Sequence, residues 1–175
     1  MFFRLASVLA LAAILGGCNY KSVPDPALSP RDKEFIALAP KFDLLDVNYD
    51  RYEIDDPTGE KPGTIIVDTK ANFLYLVLEG KRAMRYGVST GTEALGWTGK
   101  ATVARKAEWP RWTPPADMVQ RWPHLRPTLA AGGMAGGPQN PLGARALYLY
   151  QGNRDTLYRI HGTNEPDSIG SNASA

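Results

Sequence analysis

Thr64-Ile-Ile-Val-Asp68, Thr69-Lys-Ala-Asn72, Phe73-Leu-Tyr-Leu-Val-Leu78, Glu79-Gly80-Lys81 and Arg82-Ala-Met-Arg-Tyr-Gly-Val-Ser89 succeed one another without a gap. Short runs rich in β-branched and aromatic residues, punctuated by Asn- and Gly-containing reversals, predict a β meander of three strands. The near-continuous apolarity of 73–78 predicts a strand covered on both faces, as in a sandwich or closed sheet. Downstream, Arg145-Ala-Leu-Tyr-Leu-Tyr150 returns to strand pattern, Gln151-Gly-Asn153 turns, and Thr156-Leu-Tyr-Arg-Ile-His161 forms another strand. The chain is therefore read as mostly β.

Between these strand groups, from Ser89 to Gly143, glycine and proline are dense and all four tryptophans occur: Trp97, Trp109, Trp112 and Trp122. Such punctuation excludes long helices. Ala101 to Ala107 predicts one short strand and Ala116 to Trp122 a helical turn. Loops this long in a compact domain are functional or mobile as a rule. Their tryptophans either pin the loops to the domain or stack on a sugar or peptide.

Upstream, Met1-Phe-Phe-Arg4 followed by the apolar run Leu5 to Leu15 and then Gly16-Gly17-Cys18 reads as an export signal. Eleven apolar residues make roughly 16 Å of helix, about half of a bilayer's hydrocarbon thickness. The Leu-Gly-Gly-Cys ending resembles a bacterial lipobox, which implies cleavage before Cys18, diacylglycerol on its sulfur and a membrane-anchored, exported domain. The boundaries expected are 1–17 for the signal, 18–62 for a lipidated N-terminus, tether and lead-in, and 63–175 for the main domain. Pro24, Pro26 and Pro30 bias Asn19 to Pro30 toward an extended tether. Arg31 to Leu38 predicts two helical turns, and Phe42 to Ile54 a lead-in strand or a loop packed on the core.

Without residues 1–17 the chain has 158 residues, the size of one domain, with 19 basic and 18 acidic side chains. Near-neutrality argues against nucleic acid or another acidic polymer held by charge. A single cysteine forms no intramolecular disulfide and no thiolate cluster, and two histidines do not make a metal site.

His161 closes its strand and opens the loop Gly162-Thr-Asn-Glu-Pro-Asp-Ser-Ile-Gly-Ser-Asn-Ala-Ser-Ala175. Glycines here permit close backbone approach, and Thr163, Asn164 and Ser174 supply polar groups that can orient an imidazole. A histidine so placed is either a structural hydrogen-bonding residue or a general base. His124, in Trp-Pro-His-Leu-Arg-Pro, is read as a surface or loop residue.

Tyr158-Arg-Ile-His-Gly-Thr-Asn-Glu-Pro-Asp-Ser-Ile-Gly170 resembles the histidine half of the L,D-transpeptidase catalytic domain (YkuD-like). Gly99-Lys-Ala-Thr-Val-Ala-Arg-Lys-Ala-Glu-Trp-Pro110, Trp112-Thr-Pro-Pro115 and Gly136-Gly-Pro-Gln-Asn-Pro-Leu-Gly-Ala-Arg-Ala-Leu-Tyr-Leu149 add to the likeness, in the family's order. The resemblance implies a β-sandwich with long Gly/Pro/Trp-rich loops and short helices, acting on peptidoglycan stem peptides with no metal and no organic cofactor. It implies His161 as base and acid, Ser174 as a polar support near it, and Asn140, Gly143, Gly162 and Thr163 as pocket walls. In the family the pattern continues Ser-x-Gly-Cys-Ile-Arg. Ser174 and Ala175 fit its first two places, so the nucleophilic cysteine is expected two residues past Ala175, with the family's C-terminal helix and strand beyond it. On that reading the 175 residues by themselves are inactive; the alternative is a non-catalytic lipoprotein that binds the cell wall.

Overall fold

A computed structural model describes residues 20–41, 45–91 and 97–172. The meander forms as the sequence predicts: β3 (Ile65–Asp68), β4 (Phe73–Leu78) and β5 (Arg82–Gly87) are antiparallel neighbours. Asn72 (φ 57°) turns the chain between β3 and β4, and Gly80 (φ 71°) with Lys81 (φ 58°) turns it between β4 and β5. Leu74 and Val77 point to opposite faces of β4 and both are buried, so the central strand is covered on both sides. That is what its unbroken apolarity required.

Two more strands extend this sheet. β2 (Tyr52–Asp55) pairs with β5, and β1 (Lys21–Ser22) pairs with β2, giving the order β1-β2-β5-β4-β3. Ile54 buries itself against the sheet beside Ala83, its cross-strand partner. Of the stretch Phe42 to Ile54, for which the sequence predicts a lead-in strand or packed loop, 42–44 lie outside the described residues, 47–49 make a 3-10 turn, and the strand comes next.

The extended tether expected over Asn19 to Pro30 takes a different form. Lys21 faces Glu53 and Ser22 faces Tyr52 in the sheet, while the Arg51 guanidinium holds the carbonyls of Val23 (3.3 Å) and Pro24. Free backbone groups beside an open sheet edge have partners ready, and here pairing prevails over the extended, solvated state that the prolines favour. The chain then enters α1 (Pro30–Leu38). Ser29 caps it with the Asp32 amide bonded to its hydroxyl at 3.1 Å, Asp32 returns a bond to the Ser29 amide at 3.0 Å, and Pro30 takes the first turn.

A second sheet, ordered β6-β7-β8, contains β6 (Thr102–Glu108), β7 (Arg145–Gln151) and β8 (Arg154–His161). Both ladders shift register once, at Val103/Arg105 and at Tyr148/Tyr150, and Leu157 at φ 66° marks the second irregularity. Tyr148 stands in the middle strand with the guanidiniums of Arg105 and Arg159 at 3.4 and 4.3 Å from its ring centroid. Between β6 and β7 lie only short helices, α2 (Ala116–Arg121) and α3 (Arg126–Ala130), and a 3-10 turn carrying the exposed His124.

One polar hub joins α1 to this second sheet. The Asp32 carboxylate is buried and accepts from Trp109 Nε1 (2.8 Å) and from both terminal nitrogens of Arg145 (2.9 Å each). Arg145 first, then the Ser29 and Trp109 donors, hold its pKa well below the usual carboxylate range against the opposing effect of burial. Phe35 of α1 meets the Trp109 ring edge-on at 4.7 Å. Trp109 is thus a pin for its loop, and Trp97, stacked on Tyr158 at 5.1 Å, is another. No helix among the described residues is long and apolar enough to cross a membrane.

Candidate active site

The candidate base sits where β8 ends. His161 faces Ala146 of β7, and the next amide, Gly162, donates to the Arg145 carbonyl at 2.9 Å, so the ladder carries the chain one residue past the imidazole. Here the 137–145 loop lies against the 162–165 loop, backbone to backbone. Gly143 has φ 58°, and a Cβ there would fall 2.6 Å from the Thr163 amide nitrogen and 2.8 Å from the Gly162 carbonyl carbon. A side chain would force the loops apart.

Asn140 shapes the first loop from inside. It is 1% exposed; its amide group bonds the carbonyls of Pro110 (3.0 Å), Ala135 (3.0 Å) and Met134 (3.3 Å), and its Oδ1 accepts from the Leu142 amide at 2.9 Å. Its polar atoms are committed to the backbone around it, which makes it an organiser of the loop that carries Pro141 and Gly143. Thr163 is half-buried, and its hydroxyl accepts from the Glu165 amide at 2.8 Å, closing a local turn. Gly143 thus meets the Gly162–Thr163 backbone at the end of β8 that carries His161, and Asn140 holds the loop that brings Gly143 there. Ser174 and Cys18 lie outside the described residues.

The backbone contacts of the imidazole determine its chemistry. Nδ1 lies 2.5 Å from the Gly162 carbonyl oxygen, and the Pro141 carbonyl is a further backbone partner of the ring. A carbonyl oxygen only accepts, so the Gly162 contact favours the tautomer with its proton on Nδ1, the one in which Nε2 can act as a base. Crowding by the surrounding chain disfavours the cation and draws the pKa below the ordinary imidazole value; the two carbonyls pull it part of the way back. The residue retains exposed surface, so a reacting group can reach it. A neutral, oriented and accessible imidazole is equipped to remove a proton.

Past this loop the chain is tied to the first sheet. Gly170 (φ 89°) donates to the Val88 carbonyl at 3.0 Å and accepts from Asn72 Nδ2 at 3.0 Å, and the Thr90 amide donates to the Ser171 carbonyl at 3.2 Å. The buried Thr90 hydroxyl reaches Asn72 Oδ1 (3.2 Å) and Asn172 Oδ1 (3.0 Å). The Tyr49 ring covers Gly170, where a Cβ would overlap it. Sequence reading singles out neither this seam nor the Pro141 carbonyl. The signal available is Asn72 in a tight reversal, a position that favours a left-handed backbone but names no distant partner.

Among the described residues no group of three or more His, Cys, Asp or Glu side chains could hold a metal ion. Over residues 62–175 the sequence matches the family described as the L,D-transpeptidase catalytic domain (YkuD). It is 34% identical over 120 residues to "Putative L,D-transpeptidase YqjB" of Bacillus subtilis (strain 168), covering 65% of this chain and 59% of that protein. It is 39% identical over 69 residues to "Probable L,D-transpeptidase ErfK/SrfK" of Escherichia coli (strain K12), covering 39% of this chain and 20% of that one. The chain thus spans less than two thirds of the length of these curated relatives. A crystal structure from Brucella melitensis, named as a probable carnitine operon oxidoreductase caia, is 48% identical with a TM-score of 0.59 and 73% coverage of both chains. That name belongs to the Brucella protein; the fold and the matched sequence are what the two share. With its matched segment covering well over half of its length, the chain belongs to the L,D-transpeptidase catalytic-domain family.

Proposed function

We propose that the domain works in a peptidoglycan L,D-transpeptidase, with His161 as its general base and acid. The observation that carries this reading is the setting of the imidazole: it closes β8, its Nδ1 faces the Gly162 carbonyl, and its surroundings favour the neutral form. The nucleophile is a cysteine that the family's pattern puts two residues past Ala175. Nε2 takes the thiol proton, and the thiolate attacks the carbonyl that joins diaminopimelate to the terminal D-alanine of a stem peptide. The imidazolium returns the proton to the departing amine, D-alanine leaves, and a thioester remains. The amine of a second stem peptide then displaces the thiol to form a 3,3 cross-link; water in its place makes the reaction a carboxypeptidase. Oxyanion donors come from backbone amides around the cysteine.

Cys18 supplies the location. Its acylation after export holds the domain at a membrane surface, facing the periplasm or cell wall, where stem peptides are found. The carbapenem test uses the chain continued through Ser-x-Gly-Cys-Ile-Arg and the family's closing strand. Intact-mass measurement is expected to reveal a covalent adduct, and His161→Gln to slow its formation by about 10²- to 10⁴-fold. Equal acylation rates for the two proteins would overturn the assignment.

A further inference from the structure

Only Asn19 and Tyr20 separate Cys18 from Lys21, and three extended residue steps reach at most about 11 Å. Lys21 is already in β1, so the folded domain begins almost at the expected anchor. Tyr20 packs edge-on against Tyr52 at 5.9 Å, and the Arg85 guanidinium lies 5.2 Å from its ring centroid. Beyond β1 the hold continues: the Val23 amide donates to the Arg51 carbonyl at 3.4 Å, and Arg51 grips the carbonyls of Val23 and Pro24. A free coil of about a dozen residues would have wandered over roughly 20 Å and left the domain free to tumble. A docked strand does neither.

Register gives the attachment a direction. β1 runs antiparallel to β2, with Lys21 opposite Glu53 and Ser22 opposite Tyr52, so the chain arrives from the Asp55 end. Asp55 pairs with Arg82, next to the exposed Glu79-Gly80-Lys81 turn. The far end of β5 is Gly87, against which Tyr49 packs as it covers Gly170. Five residue steps of strand, about 17 Å, separate Arg82 from Gly87. The chain therefore enters the first sheet at one end, and the 170–172 stretch that continues from the His161 loop is held at the other.

The geometry points to β1 as an orienting device: on a phospholipid surface it turns the 79–81 turn toward the lipid and the 170–172 stretch away from it, toward the wall. This inference rests on acylation of Cys18. Tyr20, 54% exposed beside the exposed Lys21, supplies the amphipathic aromatic and the cation that suit a lipid headgroup region. The partner is the bilayer surface itself.

The full chain, exported and lipidated in a bacterial host, tests this in phosphatidylethanolamine/phosphatidylglycerol vesicles containing headgroup spin-labelled lipid. A fluorophore is placed at Glu79→Cys or at Lys70→Cys, the second lying in the exposed reversal at the Gly87 end of the sheet. Quenching is expected to be at least about threefold stronger at position 79. A twelve-residue Gly/Ser insertion after Asn19 leaves every described contact in place and is expected to level the two positions, because it restores a free leash. Mass spectrometry of the N-terminal peptide separates the possible failures. An unacylated Cys18 overturns the anchor and the inference with it; an acylated protein quenched equally at both positions overturns the orientation alone.

Discussion

At the scale of single residues the imidazole of His161 governs what the site can do, and its titration makes that measurable. The folded environment lowers its pKa, so the neutral base persists to more acid pH than an ordinary imidazole would allow. In the cysteine-bearing chain, the acid limb of carbapenem acylation against pH is therefore expected to have its midpoint below about 6.5, the ordinary histidine value. A midpoint clearly above 6.5 would mean that the cation is favoured, and would contradict the crowding of the ring. The sign carries over to folding: a group whose pKa falls on folding binds its proton more tightly when unfolded, so acidification below about 6.5 costs stability. The histidine itself was legible in the sequence, since a strand pattern ending in His-Gly-Thr is local information. What orients the ring was not, because its partners are carbonyls of Gly162 and Pro141, and backbone oxygens leave no trace in residue identity. Asn140 illustrates the converse: a polar residue near the histidine in sequence pattern invites a pocket role, whereas its burial commits it to the backbone of its own loop.

Elements were legible wherever their pattern was local and long enough. β3, β4 and β5 declare themselves by alternation and turn residues, and two turns of α1 by their place after Pro30, whereas its Ser29–Asp32 capping bonds emerge only in the structure. β1 has two residues, too few for any period, and its pairing depends on an open edge of β2 thirty residues later. The hub of Asp32, Trp109 and Arg145 joins positions 77 and 113 residues apart, a distance over which no spacing argument operates. These hidden elements bear on where the domain starts. The family match begins at 62, yet β2 supplies four cross-strand partners to β5, and α1 supplies the carboxylate that holds Trp109. A polypeptide of residues 62–175 would open the β5 edge, uncover Ala83, which is 0% exposed, and leave Arg145 without its bidentate partner. Compared with residues 20–175 in the same buffer, it is expected to be largely insoluble or to melt at least about 10 °C lower by circular dichroism. Equal melting temperatures would show that the N-terminal elements are only draped on the domain.

On the scale of the whole molecule, two sheets are joined by ties of different chemistry. One is the hub, where α1 reaches from the first sheet's side of the chain to Trp109 and Arg145 at the ends of β6 and β7. The other is the seam in which Val88, Thr90 and Asn72 hold the 170–172 stretch that continues from β8. The two share no residue, so weakening one should leave the sheets coupled through the other, and only loss of both should let them unfold separately. Probes for the two parts are built into the sequence: all four tryptophans lie between 97 and 122, on the second sheet's side, whereas the first sheet carries Tyr52, Phe73, Tyr75 and Tyr86. Trp109→Phe removes one hydrogen bond to a buried carboxylate and Thr90→Val removes the hydroxyl of the seam, each at a cost of about 1–3 kcal/mol. Either variant alone is expected to melt earlier but with coincident transitions by tryptophan fluorescence and far-ultraviolet circular dichroism, the mark of a single cooperative unit. In the double variant the fluorescence midpoint, read from the remaining tryptophans, should separate from the circular dichroism midpoint by several degrees. If instead the double variant melts in one step at a temperature given by adding the two single shifts, the sheets are coupled by their packing alone, and hub and seam act only as local fasteners.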